Sequence, residues 1–185
     1  MSDSKEDRPE RLFIGVPLTD DARRSIARAL PRNLPGKLVP VENRHFTLRF
    51  LGSVTLDVRR RVIDSLGSAA YPKRFEIAFS TLGAFPNPRR ARILWLGADH
   101  GADKMVSLSA IAEQAARSAG FAAESRPFTA HLTLSRLDPP SSIATLIASK
   151  PRFDTRTPVD RIVLFRSRLG GGPARYEEVE SFPLK

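Results

Sequence analysis

Polar and apolar residues alternate, or apolar residues cluster in short β-rich runs, at 12–16, 45–51, 75–79, 93–96, 128–134, 162–165 and 176–182, and each run predicts a strand. Helix signals lie between several of them. Thr19 or Asp20 can cap a helix running to about Leu30, and Thr55 one running to about Leu66 with Gly67 as its stop. Asp103 can open a longer helix to about Ala119, closed by Gly120, and Ser141 or Ser142 a short one to about Ser149. This mixture of elements makes the class α+β.

The pattern repeats. The stretch RHFTLRFLG at 44–52 has a counterpart in AHLTLSRLD at 130–138, and their histidines, His45 and His131, lie 86 positions apart. The same offset carries the strand at 75–79 onto 161–165, and Pro88 and Arg89 onto Ala174 and Arg175. Each copy reads as strand, helix, His-bearing strand, helix, strand and an Arg/Gly/Pro loop. The repeats span about 11–82 and 92–168, with a final strand at 175–183. No Gly/Ser-rich linker separates them, so the expectation is a single domain over 11–185 made of two lobes related by a pseudo-twofold, after a disordered tail at 1–10.

Composition narrows the chemistry. A chain of 185 residues with 41% hydrophobic content can bury a real core. Its apolar runs fall far short of the roughly 20 residues a membrane span needs, and MSDSKEDRPE is polar rather than a basic lead into an apolar stretch. A cytoplasmic protein is expected. With no cysteine, disulfides, thiolate metal sites and a cysteine nucleophile are excluded. The net charge of +10 attracts polyanions; 24 of the 30 cations are Arg, a bias that genome base composition also produces, so charge alone does not identify a nucleic-acid binder.

Strand alternation sets His45, Thr47 and Arg49 on one face, and His131, Thr133 and Ser135 on the corresponding one. Phe46, Leu48, Phe50, Leu132 and Leu134 then face the core. An imidazole and a hydroxyl two residues apart stand about 7 Å from each other along the surface, a spacing suited to one phosphate. If the pseudo-twofold brings the strands together, one imidazole can take a proton from water while the other gives one to a departing oxygen. Thr hydroxyls and Arg groups can stabilise the charge that builds on the phosphate. A lone strand histidine is most often a surface or satisfied core residue; two H-x-T-L motifs at equivalent repeat positions favour the catalytic reading. Neither motif has a second His or a carboxylate at ligand spacing, so no metal site is expected. His100, in ADHGAD, has no such company and should be exposed.

At these motifs the chain resembles the two-histidine phosphoesterase superfamily, in particular the bacterial and archaeal RNA 2′,3′-cyclic phosphodiesterases once named 2′-5′ RNA ligases. The resemblance takes in RLFIGVPL at 11–18, HFTLRFLG at 45–52, LGAFPNPRRARILWLG at 82–97, RPFTAHLTLSR at 126–136 and IVLFRSRLGGGPARYE at 162–177. It implies two antiparallel sheets flanking a central cleft, with helices outside. It also implies hydrolysis of a terminal 2′,3′-cyclic phosphate to a 2′-phosphomonoester, without metal or other cofactor. His45 is then the proton donor to the leaving 3′ oxygen and His131 the acceptor that activates water, a division the spacing leaves open. Thr47 and Thr133 match phosphate-binding hydroxyls. Arg136 matches a basic position after the second motif, yet strict alternation turns it away from His131 unless a bulge re-aims it. Arg49 is the other arginine candidate for the phosphate. The loop FPNPRRAR is a candidate RNA contact, and Ala130 stands where many relatives carry proline. The implied partners are RNA ends with a 2′,3′-cyclic phosphate, including tRNA fragments, met by a monomer with no membrane involved. Alternatives are the reverse joining of tRNA halves, a non-catalytic basic RNA-binding module, and cyclic nucleotides or 2′-5′ oligoadenylates as substrates.

Overall fold

Phe46 and Leu132, the residues directly after the two motif histidines, pair with each other across antiparallel strands. The computed structural model describes residues 8–185, and its sheet is arranged about that pair. The strands are β1 (Glu10–Pro17), β2 (Lys37–Leu38), β3 (His45–Val54), β4 (Phe75–Phe85), β5 (Ala91–Ala98), β6 (His131–Ser141), β7 (Arg156–Val159), β8 (Arg161–Arg168) and β9 (Arg175–Pro183). The helices are α1 (Asp20–Ala29), α2 (Leu56–Gly67), α3 (Ala102–Ser118) and α4 (Ala144–Ala148). The strand order is β7-β4-β5-β6-β3-β1-β8-β9, with β2 also on β6. The described pairings are antiparallel, so the α+β reading holds. The two expected sheets are halves of one curled sheet, and the β3–β6 seam between them carries a single backbone pair.

A half of the sheet is not one sequence repeat. β4, the last strand of the first copy, lies beside β5 of the second, while β8 of the second lies beside β1 of the first. Each copy thus lends a strand to the other half.

Local chemistry explains the helix ends. Thr19 Oγ1 accepts from the Ala22 N–H at 3.2 Å and Thr55 Oγ1 from the Val58 N–H at 3.5 Å, satisfying donors of the first turns of α1 and α2. Asp103 sits in the first turn of α3 instead of capping it; the cap is Gly101, at φ 77, where a Cβ would stand 2.5 Å from the Glu76 carbonyl. Ser141 ends β6, leaving Ile143 as the cap of a five-residue α4. β6 starts at His131 instead of Phe128, and the short strands β2 and β7 carry too little pattern to be foreseen. Most of the expected tail at 1–10 lies outside the described residues, and Glu10 already belongs to β1.

One face of the sheet buries Leu12, Ile14, Val16, Phe46, Leu132, Ile162 and Leu164 in the main core together with apolar residues of the helices. The other face carries a separate small cluster, Phe13, Val163 and Phe165 with Tyr176 against it. Two apolar faces on β1 and β8 follow because the second one packs around the His45 ring, with Phe13, Phe165 and Tyr176 against it. Among the described residues no helix is long and apolar enough to cross a membrane.

Gly15 lets β1 approach β3 at the cleft, since a Cβ there would lie 2.6 Å from the Phe46 carbonyl oxygen. Gly15→Ala should therefore destabilise the fold by about 1–3 kcal/mol in thermal or denaturant unfolding. Gly170→Ala, whose Cβ meets open space, should leave stability unchanged.

Candidate active site

The two histidines open β3 and β6 and are held alike. His45 Nδ1 lies 2.7 Å from the Asn43 carbonyl and His131 Nδ1 2.8 Å from the Thr129 carbonyl, each two residues upstream. A carbonyl only accepts, so Nδ1 carries a proton in both rings and Nε2 is left to exchange one. His45 Nε2 is 2.9 Å from Thr47 Oγ1. Continuing the Phe46–Leu132 register sets His45 opposite Thr133 and Thr47 opposite His131.

Aromatic rings fix both imidazoles. Phe13 stacks on His45 at 4.7 Å, and Tyr176 meets it edge-on at 5.1 Å. Phe85 meets His131 edge-on at 5.0 Å, with Trp95 at 6.1 Å. Trp95 needs Gly83 beneath it, because a Cβ there would collide with the indole.

Bulges decide the arginines. β1 pairs Gly15 with Thr47 but Ile14 with Arg49, and β5 pairs Trp95 with Thr133 but Leu94 with Ser135. One extra residue, Leu48 or Leu134, enters each strand at equivalent places in the repeat, and alternation inverts beyond it. Ser135, expected beside His131, is fully buried. Arg136 is turned to the histidine side and is exposed. Arg49, expected beside His45 and Thr47, shares the face of Ile14; it pairs with Glu113 at 2.8 Å and Glu124 at 3.2 Å and donates to the Ala122 carbonyl at 2.7 Å. Its guanidinium is engaged there, so Arg49 is corrected from a phosphate ligand to a tie between β3 and α3. Phe50, expected in the core, is 59% exposed and lies 5.9 Å from Phe13. It holds the place in β3 that Arg136 holds in β6.

The electrostatics bring the pieces together. Burial pushes the His45 pKa down to about 4; the Asn43 carbonyl opposes this, while the charges of Arg23, Arg136 and His131 add to it. Burial also lowers the His131 pKa, against the Thr129 carbonyl and with the help of Arg136. Arg136 thus acts on both rings. With the substrate absent, His45 is neutral at pH 7, in a cleft whose charged neighbours are cationic. Arg23 on α1, the two carbonyls and the aromatic rings escaped the sequence reading. Asn43 and Thr129 share the offset of the histidines, which is the signal that could have found them. His100 is exposed, as are Arg89 and Arg90, whose N–H groups Asn87 caps at 3.1 Å. Among the described residues no group of His, Cys, Asp or Glu is placed to hold a metal ion.

The family model for LigT-like phosphoesterases matches residues 16–95 and again 96–174. A protein of Aeropyrum pernix named RNA 2′,3′-cyclic phosphodiesterase is 36% identical over 62% of this chain and 64% of its own length. One of Geobacillus stearothermophilus, with the same name, is 33% identical over 93% of this chain and 56% of its own. The matched region is thus less than two thirds of either relative. The crystal structure of E. coli LigT complexed with 3′-AMP superposes with a TM-score of 0.81 at 27% identity, covering 95% of this chain and 98% of that one.

Titration of the two imidazoles by NMR should give His45 near 4 and His131 below 6.5. Arg136→Met should move both upward, because a lowering charge is removed.

Proposed function

The chain belongs to the LigT-like phosphoesterase family, and we infer that it hydrolyses 2′,3′-cyclic phosphates at RNA ends to 2′-phosphomonoesters by metal-independent acid–base catalysis. The observation that carries this reading is the matched pair of imidazoles, each with Nδ1 on a carbonyl and Nε2 left to exchange a proton, that of His45 within reach of the Thr47 hydroxyl, beside one arginine that acts on both. A module that only bound RNA would have no need of two rings fixed in the same tautomer.

In this reading the phosphorus sits between the rings. Nε2 of His131 takes a proton from water as its oxygen bonds to phosphorus. The bond to the 3′ oxygen breaks, and His45 Nε2–H protonates that oxygen. Thr47 and Thr133 donate to the non-bridging oxygens, and Arg136 balances the charge gathering there.

The donor role asks for a protonated His45, which the empty cleft disfavours. The bound phosphodiester supplies the correction: a negative charge about 4 Å away, at the effective dielectric of a protein surface, is worth about 4 kcal/mol, or roughly 3 pKa units. That is enough to lift His45 from about 4 to near neutrality. Substrate binding and protonation therefore support each other.

The substrates we assign are RNA fragments, tRNA halves among them, met by a monomer in the cytoplasm. The relatives named for the cyclic phosphodiesterase activity and the 3′-AMP held by E. coli LigT support a nucleotide ligand. Water, abundant in the cleft's surroundings, favours hydrolysis over the reverse joining reaction.

An oligonucleotide ending in 2′,3′-cyclic phosphate should be opened in excess chelator to a 2′-phosphate product. His45→Ala and His131→Ala should each cost about 10² to 10⁴ in turnover; an inactive wild type, or fully active variants, would defeat the assignment. Since kcat/KM reports the free protein, and both imidazoles titrate below 6.5 there, its pH maximum should lie on the acid side of 6.5 and the rate should fall above it. A maximum above pH 7 would contradict this.

A further inference from the structure

Arg44 precedes His45 on extended backbone, at φ −72 and ψ 124, so their side chains leave the chain on opposite sides. Away from His45, Arg44 is only 5% exposed, and its Nε and Nη1 are sealed from solvent without a hydrogen-bond partner among the described residues. The other arginines that are not exposed, Arg23, Arg49, Arg59, Arg161 and Arg166, each have a carboxylate at salt-bridge distance. Among the described residues Arg44 alone in this class has none. Burial lowers its pKa, and Glu42 opposes that only from a distance, without an ion pair.

The side chain lines a pocket of about 420 Å³ formed by the end of α1, the segment leading to β2, and the turn Val41–Asn43. Arg28 and Arg32 line it too, both exposed, and among the described residues no acidic one does. The remaining wall is apolar, with Leu30, Leu34 and Val41. A buried guanidinium with unmet donors is costly; an oxyanion in the pocket that the side chain lines offsets the cost by its charge, and accepts a hydrogen bond once a small turn of the side chain brings the sealed donors to it.

We propose that this pocket binds a phosphate-type oxyanion carried on an apolar or aromatic body, with Arg44 as the anchor, Arg28 and Arg32 at the rim and the apolar wall against the body. The site is separate from the cleft and stands whether or not the proposed hydrolysis is correct. The two are neighbours through one turn: Val41 lines the pocket, and the Asn43 carbonyl holds the His45 ring.

Calorimetric titration with phenyl phosphate and inorganic phosphate tests this, using the His45→Ala/His131→Ala protein so that the cleft has lost its imidazoles. Phenyl phosphate should bind saturably at a single site, and more tightly than inorganic phosphate. Arg44→Met should weaken it about tenfold or more, the loss of a charge-assisted hydrogen bond. Arg28→Ala combined with Arg32→Ala, at exposed positions, should weaken it several-fold with the fold intact, which keeps the test decisive if Arg44→Met does not fold. Absence of saturable binding, or affinity unchanged in the Arg28/Arg32 variant and in a folded Arg44→Met, would overturn the proposal. Equal affinity for the two probes would overturn the apolar body.

Discussion

The pairing of Phe46 with Leu132 across the seam of the sheet constrains both histidines at once. These residues are related by the repeat offset, so the pair lies on the pseudo-twofold, and whatever follows one motif is mirrored about the other. Because antiparallel neighbours face each other, His45 comes opposite Thr133 and His131 opposite Thr47. The strand exchange of β4 and β8 then braces the seam from both sides. A seam of one backbone pair joins the halves, because β3 and β6 both begin at their histidines and run antiparallel away from each other.

Much of this was legible because the chemistry is local. The caps at Thr19 and Thr55 depend on a side chain and a donor three residues away. His45 with Thr47, and His131 with Thr133, need only two-residue alternation. That logic failed one step further on. Leu48 and Leu134 each add a residue to a strand, which sends Arg49 and Ser135 inward and brings Phe50 and Arg136 out. The irregularity arises from pairing with β1 and β5, partners distant in sequence, so no local pattern could report it. The same holds for Arg23, which reaches the electrostatics of His45 from a helix.

The cleft has a consistent electrostatic character. Burial and neighbouring arginines lower the pKa of both imidazoles, and among the described residues no carboxylate acts on either ring. Such a site is poorly suited to a cation and well suited to a phosphodiester, whose charge would balance Arg136 and favour a proton on His45. Two rings with the same fixed tautomer but unequal burial can divide the work of acid and base. Arg44, one residue before His45, carries a cationic group on the far side of the strand as well, buried and with no ion-pair partner among the described residues.

The central claim is that the two Nε2 atoms flank one phosphorus. A crystal structure of this protein with a nucleoside phosphate bound would test it most directly. The account predicts a phosphoryl group between the rings, in hydrogen-bond contact with Nε2 of both His45 and His131 and close to Arg136. A phosphoryl group that touches one ring alone, or binds outside the cleft while the rings stay unoccupied, would contradict it.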